Sequence, residues 1–241
     1  MKRKMDRTQS PAKRVATAAH WPFGIGLTSW RYMWRTTPMH RSEAAGTTAD
    51  RAPDLPATLD RAELQLPADG AGPLFHRRYE ARIREPRLSA AEVMQRISSD
   101  PNCVSPTEFA RFHKVLGANG DLRAGDEFVV RMPGPWDGPV RVVEATPDSF
   151  WLVTLAGHLE AGQIRFTAAD DDGYLRFRIE SWARSGDWLS NLLYEKLRMA
   201  KEVQLHMWSS VLERVAELSG GRLTGGIRIV TRRVEGADAA S

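Results

Sequence analysis

The sequence predicts an α+β domain at residues 73–221, in which an antiparallel sheet is covered by a long C-terminal helix. Three observations lead to this prediction. Several segments in the middle of the chain alternate apolar and polar residues, which is the period of a half-exposed strand. Turn residues separate these segments at short intervals. After the last segment, apolar residues follow at steps of three and four, which is the period of an amphipathic helix.

The composition is that of a globular protein, with 42% apolar residues in a chain of 241. The single cysteine, Cys103, excludes an intramolecular disulfide and every multi-cysteine metal pattern. We therefore expect a reducing compartment and place the protein in the cytoplasm. No apolar run reaches the roughly 18 residues that a membrane-spanning helix needs.

Charge is distributed unevenly along the chain. Residues 1–41 carry nine Lys and Arg against a single acid, whereas residues 73–221 carry 19 bases and 21 acids. The excess of positive charge therefore belongs to an N-terminal arm and not to the predicted domain. We expect no nucleic-acid partner for the domain itself.

The arm divides into three parts before the domain begins. We interpret residues 1–20 as a disordered basic N-terminus, residues 21–41 as a short helix, and residues 42–72 as a linker rich in Ala, Thr, Pro and Asp. Two hypotheses remain open for the short helix. It packs on the domain, or it makes weak contact with an acidic membrane surface. The residues that would carry such contact are Trp21, Trp30, Arg31, Trp34 and Arg35.

The domain begins with a strand at 73–83, followed by Ser89-Ala90-Ala91-Glu92, a capping box that starts a helix. A second start signal, Ser105-Pro106-Thr107-Glu108, predicts another helix that ends at Gly117. Further strands are predicted at 126–132, 139–145, 149–156, 162–168 and 173–183, with a tight hairpin at Asp172-Gly173.

The predicted C-terminal helix runs from a cap at Asp187 to Ser219, where Gly220-Gly221 stops it. The tail at 222–241 contains one short strand, at 227–231. The apolar stripe of the helix contains Leu189, Leu192, Leu193, Leu197, Ala200, Val203, Met207, Val211, Val215 and Leu218.

This order of elements resembles the helix-grip fold of the START-like, or SRPBCC, superfamily. The resemblance implies that the sheet wraps around the last helix and encloses a cavity for an apolar ligand. The prediction contains six strands, one fewer than that fold usually has.

A second resemblance depends on the segment from Thr154 to Phe166, TLAGHLEAGQIRF. Its Thr-Leu, Gly-His, Glu, Gly and terminal Phe, together with LRAGD at 122–126 and ESWAR at 180–184, are similar to the domain of unknown function nineteen-ninety of bacteria and plants. The sequence departs from that pattern at Leu159, where the family usually has proline, and at Gln163, where it usually has an acid. The resemblance implies a fold more than an activity.

These observations favour a non-catalytic domain that binds a small apolar or amphipathic molecule between the sheet and the helix. We expect no cofactor and no metal site, because the six histidines show no ligand spacing. The ligand and the oligomeric state stay open. The candidate lining residues are Phe128, Val142, Trp151, Phe166, Phe177, Leu193, Leu197 and Met207.

Two alternatives remain. His158 and Glu160 lie two residues apart in a turn, where they could act as acid and base in a cyclase-like or hydrolase-like enzyme. The competing interpretation is that His158 only holds the turn. The other alternative is a peripheral membrane or interaction protein that acts through residues 1–41.

Overall fold

A computed structural model describes residues 37–107, 110–132, 137–186 and 199–235, with side chains in the last segment from residue 204 onward. The described elements are nine strands and two α-helices, joined by loops and short 3-10 turns. In chain order they are β1 (Met39–Ala45), β2 (Ala71–Arg84), α1 (Ala90–Ser99), β3 (Arg111–Leu116), β4 (Glu127–Arg131), β5 (Asp137–Ala145), β6 (Ser149–Thr154), β7 (Glu160–Asp171), β8 (Tyr174–Ser185), α2 (Met199–Ser219) and β9 (Arg222–Val234).

All nine strands belong to one sheet with the order β1-β9-β2-β8-β7-β6-β5-β4-β3. The strand pairs are antiparallel except for β1 and β9, which run parallel. Strands β3 to β8 follow one another as a meander, which needs only short turns. At the β7–β8 hairpin, Asp172 and Gly173 have φ values of 45° and 78°. Consecutive residues with positive φ are typical of the tight hairpin that Asp-Gly predicts.

Both helices lie on the same face of the sheet, hereafter the helix face. The capping box of α1 is confirmed, since Ser89 accepts from the backbone of Glu92 and the Glu92 carboxylate accepts from the backbone of Ser89. Helix α2 ends at Ser219 and is followed by Gly220, whose φ of 72° only glycine adopts without cost. The helices and the strands enclose the main hydrophobic core. The predicted α+β class, with the sheet covered by a C-terminal helix as in a helix-grip fold, is confirmed.

The predicted helix that ends at Gly117 is wrong, because residues 111–116 form the edge strand β3. Phe112 pairs with Val130 of β4, and its ring packs edge-on against Phe128 at 6.2 Å. Near the predicted start, the Ala110 N–H donates to the Pro106 carbonyl. Pairing with β4 therefore prevails over the helical spacing of the apolar residues.

The folded region is wider than residues 73–221. Strand β1 includes the end of the predicted Trp/Arg helix and the start of the predicted linker. The predicted short strand at 227–231 is the centre of the 13-residue β9, which lies between β1 and β2. Residues 52–66 are not a loose linker either, since several of their apolar side chains pack on the sheet. These are Ala52, Leu55, Leu59, Leu64 and Leu66.

Two parts of the sequence prediction fall outside the described residues. Residues 1–36 include Trp21, Trp30, Arg31, Trp34 and Arg35, so the two hypotheses for that segment stay predictions. The first part of the predicted C-terminal helix, residues 187–198, also lies outside. Within the described part, Val211 and Val215 of the predicted stripe are buried, as are Leu205 and Leu212, which the stripe omitted.

Candidate ligand-binding site

The two described helices cover the helix face unevenly. Helix α2 packs closest against β9, β2 and β8, and α1 packs on β7. Yet the apolar residues of this face continue onto β6, β5 and β4, beyond the strands that α2 contacts most closely. Part of the apolar face therefore extends past the described helices.

An aromatic cluster marks the border between these two parts of the helix face. Phe150 of β6 and Phe166 of β7 are cross-strand partners, and their rings stack at 4.4 Å. Trp208 of α2 meets the Phe166 ring edge-on at 5.7 Å. Both phenylalanines are buried, whereas Trp208 is only half-buried. Through Trp208, α2 therefore also contacts Phe166 of β7, whose ring stacks on Phe150 of β6.

The apolar side chains of α2 differ in their burial. Towards its C-terminus, Leu212, Val215 and Ala216 are buried against the core. Nearer its N-terminus, Met207 and Trp208 remain half-buried although they pack on the same core. Half-buried apolar residues also border this region on the strands and loops, namely Phe112, Met132 and Ile164. The surface of α2 at Met207 and Trp208 is therefore partly exposed, although Leu205 and His206 in the same turn are buried.

The structure places most of the predicted lining residues on the helix face. Phe128, Val142, Phe166 and Phe177 belong to the core there, and Met207 packs against it. Leu193 and Leu197 lie outside the described residues.

Trp151 does not lie on the helix face. It follows Phe150 and precedes Leu152, which both face the helices, so the alternation of the strand turns Trp151 to the opposite side. There it belongs to a cluster with Leu55 and Val153, and the guanidinium of Arg165 lies 4.3 Å from its ring centre. Trp151 is therefore a core residue of the other face, hereafter the outer face, and not a lining residue.

His158 lies in the turn between β6 and β7, as predicted, whereas Glu160 is the first residue of β7. The Nδ1 of His158 accepts the backbone N–H of Glu160 at 2.9 Å. The backbone N–H of His158 donates to the Leu155 carbonyl, which closes the turn. The Oε1 of Glu160 accepts from Nε2 of Gln204 on α2 at 2.6 Å. These contacts hold the turn and attach it to the helix.

The electrostatics of this turn agree with a structural role. Burial of the imidazole lowers the pKa of His158, and this effect outweighs the opposing charge and backbone N–H of Glu160. A neutral ring with Nδ1 accepting carries its proton on Nε2. His158 also lies against the backbone of Gly138, where a Cβ would come within 3.0 Å of Nε2.

The Thr-Leu and Gly-His motif serves chiefly to bind Gln65 of the segment that precedes the domain. The Thr154 hydroxyl donates to the Gln65 carbonyl at 2.7 Å, and the Gly162 N–H donates to the same oxygen at 3.0 Å. The Gln65 amide donates in return to the carbonyls of His158 and Glu160. The motif therefore fastens residues 63–65 to the sheet.

Gly162 is required for close packing of the backbone at this motif. A Cβ at this position would lie 2.0 Å from the Trp182 carbonyl oxygen of the neighbouring strand. Next to it, Gln163 is buried on the outer face and donates to the Pro53 carbonyl at 3.2 Å. Its Oε1 has no hydrogen-bond partner among the described residues.

A buried ion pair fixes the segment at 52–66, hereafter the strap, to the outer face. Arg141 of β5 donates to Glu127 of β4 at 2.7 Å, and both residues are buried. The other end of the same guanidinium donates to the backbone carbonyls of Asp60 and Ala62. One arginine thus joins two strands of the sheet to the strap.

Charged side chains form a series of ion pairs, hereafter the ladder, on the outer face of β2 and β8. The sequence did not predict it. The ring nitrogens of His76 lie 2.8 Å from Asp50 and 2.8 Å from Glu180. A neutral imidazole has one N–H, so only the imidazolium donates to both carboxylates. The ring also stacks on Trp182 at 5.1 Å. These partners are far apart in sequence, so no spacing indicates them.

The ladder continues from Glu180 along the two strands. Arg78 donates to Glu180 at 2.7 Å, and Arg178 donates to Glu80 at 2.8 Å. Burial alone would raise the pKa of Glu180, but the hydrogen bonds and charges of His76 and Arg78 outweigh it and lower the pKa to about 2. Glu180 is thus ionised across the physiological range.

The remaining candidate residues of the described chain show no reactive arrangement. Among the described residues, no three His, Cys, Asp or Glu come together as a metal site. Partial burial of the thiol and the nearby Asp100 raise the pKa of Cys103, which disfavours the nucleophilic thiolate. His206 is buried on α2. No helix of the described chain has the length and apolarity to cross a membrane.

Comparison with solved structures yields many similar folds at low sequence identity. A hypothetical protein, jhp0584, from Helicobacter pylori is 12% identical, with a TM-score of 0.46, and the match covers 73% of this chain and 99% of that one. Protein Ms6760 from Mycobacterium smegmatis is 17% identical, with a TM-score of 0.40, and covers 69% and 96%. The di-domain ARO/CYC StfQ from the steffimycin biosynthetic pathway is 10% identical, with a TM-score of 0.46, and covers 63% and 51%.

None of the curated proteins matches this sequence. One family model does match, and it spans the edge strand β3, the Thr-Leu and Gly-His motif, and most of α2. The resemblance that the motifs predicted is thereby confirmed, and residues 108–214 match the family described as Domain of unknown function (DUF1990).

Proposed function

We propose that this chain is a non-catalytic binding domain that holds a small apolar or amphipathic molecule between the sheet and α2. One observation carries the proposal. The apolar helix face extends onto β6, β5 and β4, beyond the strands on which the described part of α2 packs most closely, and Ile164, Met207 and Trp208 beside it are only half-buried. Binding sites for small molecules are typically apolar and largely preformed.

Among the described residues, the outer face offers no comparable site, because the strap and the ladder of ion pairs cover it. Leu55, Leu59 and Leu64 cover Trp151 and Val153 there. A ligand on that face would have to displace the bonds from Arg141 to the strap. The helix face is therefore the better candidate for reversible binding.

The turn geometry favours a structural role for His158 and Glu160 over acid–base catalysis. Nδ1 of the histidine is engaged by the backbone of the turn, and the glutamate accepts from Gln204. We therefore do not propose the cyclase or hydrolase activity. The single Cys103 agrees with a cytoplasmic site of action, which forms part of the proposal.

Titration with the neutral fluorescent probe N-phenyl-1-naphthylamine tests the proposal. Ile164→Trp adds bulk at a half-buried position of the helix face, and Leu59→Trp adds it at a half-buried position under the strap. We expect probe affinity to fall by about tenfold or more in Ile164→Trp, which corresponds to at least about 1.4 kcal/mol. The Leu59→Trp control should keep the affinity of the unmodified protein.

Two results would contradict the proposal. The unmodified protein would fail to bind the probe, or the two variants would lose affinity equally. Native mass spectrometry of the freshly purified protein gives an independent measurement, in which we expect a co-purified small molecule.

A further inference from the structure

At one end of the outer face, arginines of three neighbouring strands lie side by side. Arg82 of β2 pairs across the sheet with Arg176 of β8, and Arg84 of β2 pairs with Arg222 of β9. Like charges that lie directly opposite each other in a sheet repel. Their apolar neighbours in the strands belong to the helix-face core or pack against it, so these arginines point to the other side. Together with another arginine of β9 they form the arginine surface, which consists of Arg82, Arg84, Arg176, Arg222 and Arg228.

Acidic side chains neutralise part of the arginine surface. Asp171 of β7 accepts from Arg176 and lies 3.8 Å from Arg82. Glu85, which follows β2, lies 3.8 Å from Arg84. These two acids stand against the five arginines of the surface, so three positive charges remain in excess.

The ladder does not balance this excess. Glu80 of β2 is the cross-strand partner of Arg228, but its carboxylate is bound by two nitrogens of Arg178. The side chains of Arg82 and Arg84 are 49% and 55% exposed. The excess positive charge therefore faces solvent, where it can attract a negatively charged partner.

The basic N-terminal arm joins the sheet beside the arginine surface. Strand β1 begins at Met39, and its next residue, His40, pairs with Arg228. Residues 1–41 carry nine Lys and Arg against a single acid, so the arm adds positive charge to this end of the protein. Charge complementarity therefore excludes the arm as the occupant of the arginine surface and favours an anionic partner outside the chain.

Two features favour a membrane over a nucleic acid as this partner. The arginines spread over three strands and three rows, an area of roughly 10 by 14 Å, which suits a plane of anionic head groups. The arm contains Trp21, Trp30 and Trp34, and tryptophan is enriched at membrane–water interfaces. By contrast, single-stranded nucleic acids stack their bases on aromatic rings. Tyr174, the aromatic residue beside the arginine surface, already lies under the guanidinium of Arg82, at 4.2 Å.

We propose that the arginine surface binds this protein to an acidic membrane surface. The proposal concerns the opposite face from the candidate ligand site and does not depend on the proposed function. A guanidinium donates two parallel hydrogen bonds to a phosphate or a carboxylate, which are the anionic groups of acidic lipids. Binding also relieves the repulsion between the opposed arginines of β2, β8 and β9.

Sedimentation with lipid vesicles tests the proposal on the full chain. Vesicles of phosphatidylcholine are compared with vesicles that contain about one-third phosphatidylserine. We expect the protein to bind the acidic vesicles and not the neutral ones, and to bind more weakly as salt rises. Arg84→Gln/Arg222→Gln should weaken this binding by about tenfold or more.

A matched control removes the same charge elsewhere. Arg111 and Arg123 are exposed like Arg84 and Arg222, but Arg111 lies in β3 at the opposite edge of the sheet and Arg123 precedes β4. Arg111→Gln/Arg123→Gln should change the affinity for acidic vesicles by less than about twofold, because these positions lie away from the membrane.

Three results would overturn the proposal. Equal binding to neutral and acidic vesicles would show that charge does not direct it. Equal losses in the two variants would assign binding to net charge alone, and an unchanged affinity in Arg84→Gln/Arg222→Gln would assign it to the arm. Duplex DNA and single-stranded RNA are titrated in parallel. If they bind and the vesicles do not, the partner is a nucleic acid and the membrane proposal is wrong.

Discussion

The two faces of the sheet use alternate residues of the same strands, yet different interactions hold them. On the helix face, Phe177 and Ile179 of β8 pack in an apolar core beneath α2. On the outer face, Arg178 and Glu180 of the same strand belong to a ladder of ion pairs. Apolar packing is non-directional and accepts different shapes, whereas ion pairs require fixed geometry. The comparison indicates that the helix face is suited to a ligand and the outer face to holding the strap.

The largest expected effect compares adjacent residues of β8 that point to opposite faces. Phe177→Ala should lower the free energy of unfolding by about 3–5 kcal/mol, because it leaves a cavity at a fully buried position. Arg178→Ala removes a side chain that is one-third exposed and should cost less than about 1 kcal/mol. Urea denaturation of both variants measures the difference. Equal losses would show that the ladder stabilises the fold as much as the core does.

The next effect concerns the buried ion pair beneath the strap. Arg141→Met should lower the free energy of unfolding by about 3 kcal/mol, because it leaves the Glu127 carboxylate buried without its cation. The double variant Glu127→Leu/Arg141→Met removes both charges, so it should recover part of the loss. Recovery would be incomplete, since the carbonyls of Asp60 and Ala62 also lose a donor. A double variant that is less stable than Arg141→Met would contradict this explanation.

Because of Glu180 in the ladder, the free energy of unfolding should depend on pH in the acid range. Its pKa is about 2 in the folded protein against 4.5 as the ordinary value. A lowered carboxylate pKa stabilises the fold above the unfolded value, and this contribution is lost as the pH falls from about 4.5 towards 2. After allowance for solvent screening we expect about 1–2 kcal/mol. The difference in melting temperature between the unmodified protein and Glu180→Gln should therefore shrink across this range. A constant difference from pH 6 to about pH 2 would show that the ladder does not lower this pKa.

The smallest effect is expected at the turn between β6 and β7. His158→Gln should cost about 1 kcal/mol, because it removes the acceptor of the Glu160 N–H, and it should leave probe binding intact. The lowered pKa of His158 means that the unfolded chain takes up a proton first, so the stability of the unmodified protein falls as the pH drops below 6.5. His158→Gln should flatten that slope. Loss of probe binding in a folded His158→Gln variant would show that His158 contributes to binding and does not only hold the turn.

Local patterns in the sequence predicted which residues of some strands face the helices and where some elements begin or end. Alternation in β2 and β8 identified which residues face the helices, and Asp172-Gly173 marked the hairpin between β7 and β8. The capping box at Ser89 placed the start of α1. These features depend on residues that are close together in the chain, so a short stretch of sequence is enough to predict them.

Features that depend on distant partners could not be predicted in the same way. The spacing of Phe112, Val115 and Leu116 suits a helix, and only the pairing of β3 with β4 makes it a strand. His76 joins Asp50 to Glu180 across distances in sequence that no motif encodes.

The same limit applies to the candidate site. Four of the eight predicted lining residues are buried in the helix-face core, because their strands alternate regularly. Trp151 was predicted as a lining residue, although its position between Phe150 and Leu152 places it on the outer face.

The most direct test of the central claim is methyl NMR of the protein with bound N-phenyl-1-naphthylamine. Val142 and Val143 are consecutive residues that both lie in β5, and they belong to the cores of opposite faces. Contacts between the probe and the methyl groups of Val142 and Ile164, with none to Val143 and Val153, are the result that we predict. Contacts to Val143 and Val153 instead would place the probe under the strap and contradict the assignment of the two faces.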